Sequence, residues 1–195
     1  RPAFQGIEAM RYPEDHKQKT RRRIVEEAAR LFRQDGVGAT GLQPLMKALG
    51  LTHGGFYAHF KSKDDLVETA LRHAAAQLDE ITAPLAEAER PLALLIEQYL
   101  SPRHRDNPGA GCPLPTLSAE LGQRGTPSPT TDSIVRKRLA MIEAALEGED
   151  AGERAVLLLA SLVGALQLSR SVQDEALSQR ILEATRKKLL EQMER

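Results

Sequence analysis

Two short stretches concentrate side chains capable of chemistry. In "GLTHGGFYAHFKSKDDL" (50–66), Thr52, His53, Tyr57, His59 and Lys63 bring hydroxyl, imidazole, phenol and ammonium groups around two adjacent glycines. In "YLSPRHRDNPGAGCPLPTLSAEL" (99–121), Arg103, His104, Arg105 and Asp106 precede a Pro/Gly-rich turn that runs into Cys112. The first set offers hydrogen-bond donors and positive charge with little bulk, which suits a surface pressed against phosphates and base edges. The second could in principle hold a metal through His104, Asp106 and Cys112, or build a Cys-His-Asp nucleophile. Its ligands are few and lie on a flexible run. No nucleophile motif surrounds Cys112, and no second catalytic histidine is placed by pattern. No metal site and no cofactor are expected, and the thiol-dependent enzyme stands only as an alternative to a non-enzymatic reading.

Helices must position both sets. No period-2 alternation occurs, Val and Ile are scarce beside Leu and Ala, and the expected fold class is all-α. Ile24, Ala28, Leu31 and Phe32 make one stripe on a helix over 14–34, closed by Gly36 and Gly38. Thr40 is placed to cap a second helix over 42–49, which Gly50 ends. Thr52 caps a third over 53–59, and Ser62 a fourth that starts at Lys63 with Asp64 and Asp65 in its first turn. Two short helices joined by Leu49-Gly50-Leu51-Thr52 form a helix-turn-helix pattern. On the third helix Phe56 and Phe60 face inward, leaving His53, Gly54, Tyr57 and Ala58 outside and His59 at the edge. Longer helices are predicted over 63–82, 91–100, 113–121, 130–146, 153–172 and 174–193, with 122–131 as a mobile loop and 1–9 as an unpatterned tail.

The chain has 195 residues, enough for one proper core, and equal numbers of basic and acidic residues. That balance hides an asymmetry: residues 1–75 carry 13 Lys/Arg against 9 Asp/Glu, and the remainder 14 against 18. A basic front and an acidic back suggest a division of labour. A single cysteine excludes an internal disulfide framework and fits a reducing compartment. The longest apolar run, 155–168, is short for a membrane span, and no signal-peptide pattern is seen. Cytoplasmic residence and no membrane partner are expected.

"GATGLQPLMKALGLTHGGFYAHFKSKDDLV" resembles the DNA-binding domain of the TetR family, whose pattern runs T-x-x-x-I-A-x-x-x-G-V-[ST]-x-x-x-[LF]-Y-x-[HY]-F-x-[SN]-K. Thr40, Leu45, Gly50, Thr52, Phe56, Tyr57, His59, Phe60, Ser62 and Lys63 match directly or conservatively, and Met46 replaces the usual alanine. The resemblance implies a three-helix DNA-binding domain over 1–62 and a helical effector-binding and dimerisation domain over 63–195. It implies double-stranded operator DNA, a second copy of the chain and a small-molecule effector as partners. Gln43, His53, Gly54 and Tyr57 would reach bases, and Thr40, Gly55, His59 and Lys63 phosphates, with Thr52 completing the DNA-facing set. An architectural DNA binder without an effector is the remaining alternative, but about 130 residues beyond the reading head exceed what architecture needs.

In the back half, the 153–172 helix is apolar almost all round and is expected to be buried on nearly every side, with Ser161, Gly164 and Gln167 as a small or polar seam. With the last helix it is expected to dimerise through Leu162, Leu166, Leu177 and Ile181, the pair that forms a four-helix bundle in TetR-like proteins. The effector pocket is expected between about 78 and 168, lined by Leu, Ala and Met. Cys112, followed by Pro113, is expected at a helix N-cap, where the helix dipole and Arg103, His104 or Arg105 would lower its thiol pKa. Gly111-Cys112 is similar to a feature of an electrophile-responsive branch of the family, which makes Cys112, His104 and Arg105 the sensor candidates.

Overall fold

Ile24, Ala28 and Phe32 are completely buried, and the stripe they form organises the first half of the protein. The computed structural model describes residues 8–193, all helical or connecting among them. Residues 1–7 of the expected tail lie outside the described residues. Helix α1 (Glu8–Asp35) begins before residue 14, since extending a packed helix adds one hydrogen bond per residue without a new nucleus. Gly36, at φ 86°, ends it with its N–H on the Phe32 carbonyl. Helix α2 (Leu42–Ala48) ends as the sequence predicts. Gly50 takes φ 72°, its N–H reaches the Lys47 carbonyl, and the Leu51 N–H reaches the Met46 carbonyl at 2.8 Å. A 3-10 helix, Gly54–Ala58, follows, and then α3 (Lys63–Thr82), where the Ser62 hydroxyl accepts the Asp65 N–H.

The second half contains α4 (Pro91–Tyr99), α5 (Pro102–Asp106), α6 (Leu114–Gln123), α7 (Pro129–Glu143), α8 (Ala151–Ser171) and α9 (Glu175–Met193). The sequence missed α5 and the 3-10 turns Ala83–Glu87 and Pro108–Ala110, which are too short to show a period. The expected mobile loop shrinks to 124–128, because Ser128 accepts the Thr130 and Thr131 N–H groups and Pro129 opens α7. Asp174 caps α9 by accepting the Ala176 and Leu177 N–H groups, and the Ser178 hydroxyl closes the α8–α9 turn on the Ser169 carbonyl. On α7 the buried Arg138 pairs with Asp79 and donates to the Thr82 hydroxyl, fastening α7 to α3. One apolar core runs without a break from Ile24 on α1 to Leu189 on α9.

Two expectations about α8 need correction. Leu162 and Leu166 do not face outward: they are 1% and 0% exposed, packed with Leu158, Ile96 and Leu182 in the protomer's own core. Nor is α8 enclosed on all sides. Val156, Leu157 and Leu168 are all more than half exposed, and Leu177 on α9 is 41% exposed. Leu157, Ser161, Gly164 and Leu168 recur at helical spacing on that outer side, where a Cβ on Gly164 would meet nothing within 4 Å. By length and composition α8 could cross a membrane, but its Leu158, Leu162 and Leu166 face belongs to a helical core. Leu166→Ala should cost about 2–5 kcal/mol of stability, read as a lower urea midpoint with the denaturant slope unchanged.

Candidate nucleic-acid interface

Five residues with two glycines are a weak helix former, and Gly54–Ala58 is 3-10 rather than the α-helix expected over 53–59. Its geometry comes from two anchors. The Thr52 hydroxyl accepts the Gly55 N–H at 3.1 Å, and Phe56 stacks on Phe60 at 5.5 Å with both rings buried. That burial turns His53, Gly54, Tyr57 and Ala58 outward together. Tyr57 is 62% exposed and lies edge-on to His53 at 6.0 Å and to Phe56 at 5.2 Å, so a large exposed ring is held in one orientation. Gln43 and Lys47 on α2 and Lys61 before α3 are also exposed.

The glycine pair divides into two cases. A Cβ on Gly55 would come within 3.2 Å of the Thr52 hydroxyl oxygen, so glycine there protects the cap. A Cβ on Gly54 would meet nothing within 4 Å, and its φ is not left-handed. Neither packing nor backbone geometry inside the protomer asks for glycine at 54.

The phosphate candidates also divide. Thr40 is buried and donates its hydroxyl to the Gly36 carbonyl at 2.7 Å, so it neither caps α2 nor faces outward; the residue before α2 is Gly41. A turn that closes back on α1 claims the hydroxyl first. Lys63 is half-buried and donates to the Val37 carbonyl at 2.6 Å; burial and then the Arg124 charge lower its pKa from the usual lysine value. Its ammonium has three protons, so one bond leaves capacity for a phosphate. His59 keeps Nδ1 buried without a partner, and burial, with Lys17 and Arg21 nearby, pulls its pKa down.

Residues that no local pattern flagged tie this surface to the rest of the protein. Glu120, on α6, accepts the N–H groups of Val37 and Gly38, each at 2.6 Å, and pairs with Arg124. Side chains at Gly36 or Gly38 would collide with that carboxylate at 2.9 and 2.8 Å. Thr116, one turn earlier, donates to the Arg33 carbonyl at 2.8 Å. Arg33 is buried and bonds Ala29 O, Gly111 O and Gln77 Oε1, joining α1 to α3 and to the turn before Cys112. Apart from the bonds to Ala29 and Arg124, these partners are 44–83 residues apart in sequence, beyond any periodicity.

The Cys112 environment gives the thiol neither the N-cap position nor the lowered pKa expected of it. Helix α6 starts at Leu114 with Pro113 at its N-cap, one position past the thiol. Cys112 is buried, and burial raises its pKa despite opposing contributions from Tyr99, Arg138 and Arg170. The Tyr99 hydroxyl, buried beside it, has no well-formed hydrogen bond. His104 accepts the Cys112 backbone N–H on Nε2 at 3.1 Å, while Nδ1 lies 2.8 Å from the Tyr99 carbonyl. Burial lowers the His104 pKa, consistent with a neutral ring donating from Nδ1. The imidazole holds the backbone and is not aimed at the thiol. Asp106 pairs with Arg105, which also reaches Glu175 and the Ser178 hydroxyl. These groups fasten α5 to α9, and no Cys-His-Asp relay forms. Leu95, Ile96, Leu117, Ile134 and Leu158, within the span expected to line the apolar pocket, are buried in the continuous core. Clefts of about 960 and 700 Å³ instead open at the surface, against Pro108–Ala110 and against α6.

Residues 24–70 match the family described as "Bacterial regulatory proteins, tetR family". The HTH-type transcriptional regulator AcrR of Shigella flexneri is 41% identical over 64 residues, 33% of this chain and 30% of that protein. An uncharacterized HTH-type transcriptional regulator of Mycobacterium tuberculosis is 28% identical over 173 residues, 80% of this chain and 87% of its own length. The crystal structure of a TetR transcriptional regulator from Chloroflexus aurantiacus superposes with a TM-score of 0.75 at 25% identity, covering 90% of this chain and 94% of that one.

Two measurements probe this geometry. With its pKa raised, Cys112 should alkylate at neutral pH about tenfold or more slowly in the folded chain than in urea, with a rate still climbing above the ordinary thiol range. Glu120→Ala should weaken the 36–38 turn by about 1–2 kcal/mol, seen as roughly tenfold faster amide exchange at Val37 and Gly38.

Proposed function

The chain belongs to the TetR family of bacterial transcriptional regulators in its reading head and its overall fold, and from that premise we propose a homodimeric repressor of a palindromic operator. The observation that carries the DNA-reading assignment is Gly54: a solvent-facing glycine, with no internal reason to be one, beside a fixed and exposed Tyr57. An absent side chain there lets the backbone approach a groove floor. Gln43, His53, Gly54 and Tyr57 read base edges. Thr52, Gly55, His59 and Lys63 serve the backbone, and Thr40 supports the turn behind them. The reading head is assigned to 1–62 and the effector and dimerisation domain to 63–195, which α3 opens. A DNA partner fits residence in the cytoplasm.

A palindrome demands a two-fold partner. The exposed Val156, Leu157 and Leu168 of α8 and Leu177 of α9 supply an apolar face for a second copy, with half-buried Ile181 beside them. Gly164 and Ser161 on the same side permit close helix approach. A small-molecule effector that binds the bundle and displaces α6 would pull Thr116 and Glu120 against the α1 terminus and the 36–38 turn, changing the separation of the two reading heads. DNA affinity then falls by the effector's preference for the displaced state.

The test is selection from a random duplex library followed by anisotropy on the enriched sequence. A palindrome should be recovered, and Gly54→Leu should lower affinity about tenfold or more with no loss of melting temperature. Leu168→Glu should sediment as a monomer and lose tight binding. No enriched sequence, or a Gly54→Leu variant that binds normally, would remove the DNA-reading assignment.

A further inference from the structure

Between residues 16 and 23, α1 carries His16, Lys17, Lys19, Arg21, Arg22 and Arg23 with no acidic residue among them, and all six are exposed. One side of this block adjoins the reading element. The Arg21 guanidinium lies over the Phe60 ring, 4.7 Å from its centroid, and Lys17 and Arg21 are close enough to act electrostatically on His59. A groove of about 430 Å³ separates α1 from α3 here, walled by Gln18, Arg21 and Arg22 on one helix and Thr69, Arg72 and His73 on the other.

Three guanidinium groups around one groove repel each other, and the neighbouring acids give limited relief. Glu26 pairs with Arg22 at 3.4 Å on the exposed helix surface. Asp65 accepts the Lys61 N–H, and Glu68 accepts the Thr130 hydroxyl. Arg72 donates to the Thr69 hydroxyl, which bends it along the groove. At the His73 ring, Nε2 is buried without any hydrogen-bond partner. Buried polar atoms of that kind are rare, because each forfeits its hydrogen bond to water. An anion in the groove would answer the repulsion among these guanidinium groups. The open mouth suits a long polyanion, and the Arg21–Phe60 contact sets the groove beside the DNA-reading surface.

We propose that this α1–α3 groove seats backbone phosphates of duplex DNA flanking the half-site, extending the operator footprint beyond the bases read by Gly54–Ala58. The inference rests on the DNA-binding reading above and adds a second, sequence-independent contact to it. Arg22 and Arg72 neutralise phosphates, and Arg21 links the groove to the reading element.

The test compares the full chain with the Arg22→Ala/Arg72→Ala variant on a selected palindrome, with and without flanking duplex. Wild type should lose about tenfold in affinity when the flanks are trimmed. The variant should bind both lengths like wild type on the trimmed duplex, with a salt slope on the flanked duplex lower by about 2. Arg22→Lys/Arg72→Lys should restore the flank dependence, which a purely structural role for the arginine planes would not. Wild-type indifference to the flanks, or an unchanged salt slope in the alanine variant, overturns the proposal. Thermal stabilisation by inorganic phosphate without a flank effect overturns it in favour of a free anion. Wild type that binds no selected duplex overturns the DNA reading itself, and this contact with it.

Discussion

The burial of Phe56 and Phe60 against α1 is the constraint on which the reading surface depends. A five-residue 3-10 helix with two glycines has no stability of its own, because helix nucleation is costly and too few bonds follow it. It holds its shape because two stacked aromatic rings are driven into the core that Ile24, Ala28 and Phe32 open for them. The Thr52 cap then fixes its start, and the same core fixes which residues are left outside. Tyr57 is exposed because its neighbour Phe56 is not.

The same α1 helix carries that order into the larger bundle. Its final carbonyls and the turn after it are taken by Thr116 and Glu120, and its buried Arg33 reaches both α3 and the chain just before Cys112. A carboxylate that accepts two backbone N–H groups at 2.6 Å is a directional contact, lost when the helix bearing it moves by an ångström or so. The reading head is joined to the bundle through a continuous apolar core and, at α6, through these few polar bonds. The core supplies cohesion, and the polar bonds tie the end of α1 and the turn after it to α6.

The Cys112 region illustrates how the same residue types can serve architecture. His104, Arg105 and Asp106 form a group that in sequence suggests a relay or sensor. Folded, His104 holds the backbone at Tyr99 and Cys112, Arg105 and Asp106 pair near the start of α9, and Arg170 donates to the carbonyls of His104 and Arg105. A short helix lacking enough backbone bonds is stabilised from outside, and the polar side chains are consumed in doing so. The thiol left in the middle is desolvated, which favours its neutral form.

What the sequence by itself determined was local. The 3.6-residue stripe of α1, the Gly50 terminus of α2, the Ser62 cap of α3 and the inward pair Phe56–Phe60 follow from spacing and backbone preference, and each is found in place. The family resemblance was legible for the same reason, since its motif is made of caps, turns and anchors within one short segment. Tertiary structure decided which face of each helix was used and which polar groups were already taken. Leu162 and Leu166 fit an interface pattern as well as a core pattern, and only the packing of α4, α7 and α9 around α8 turned them inward. Thr40 and Lys63 carry the right groups for phosphates, but the fold brings the Gly36 and Val37 carbonyls to them. Glu120 looked like any surface glutamate until folding placed it against the amides of residues 82 and 83 positions away. Period and propensity act within a few turns of chain, whereas burial and hydrogen-bond competition are settled between segments that meet only on folding.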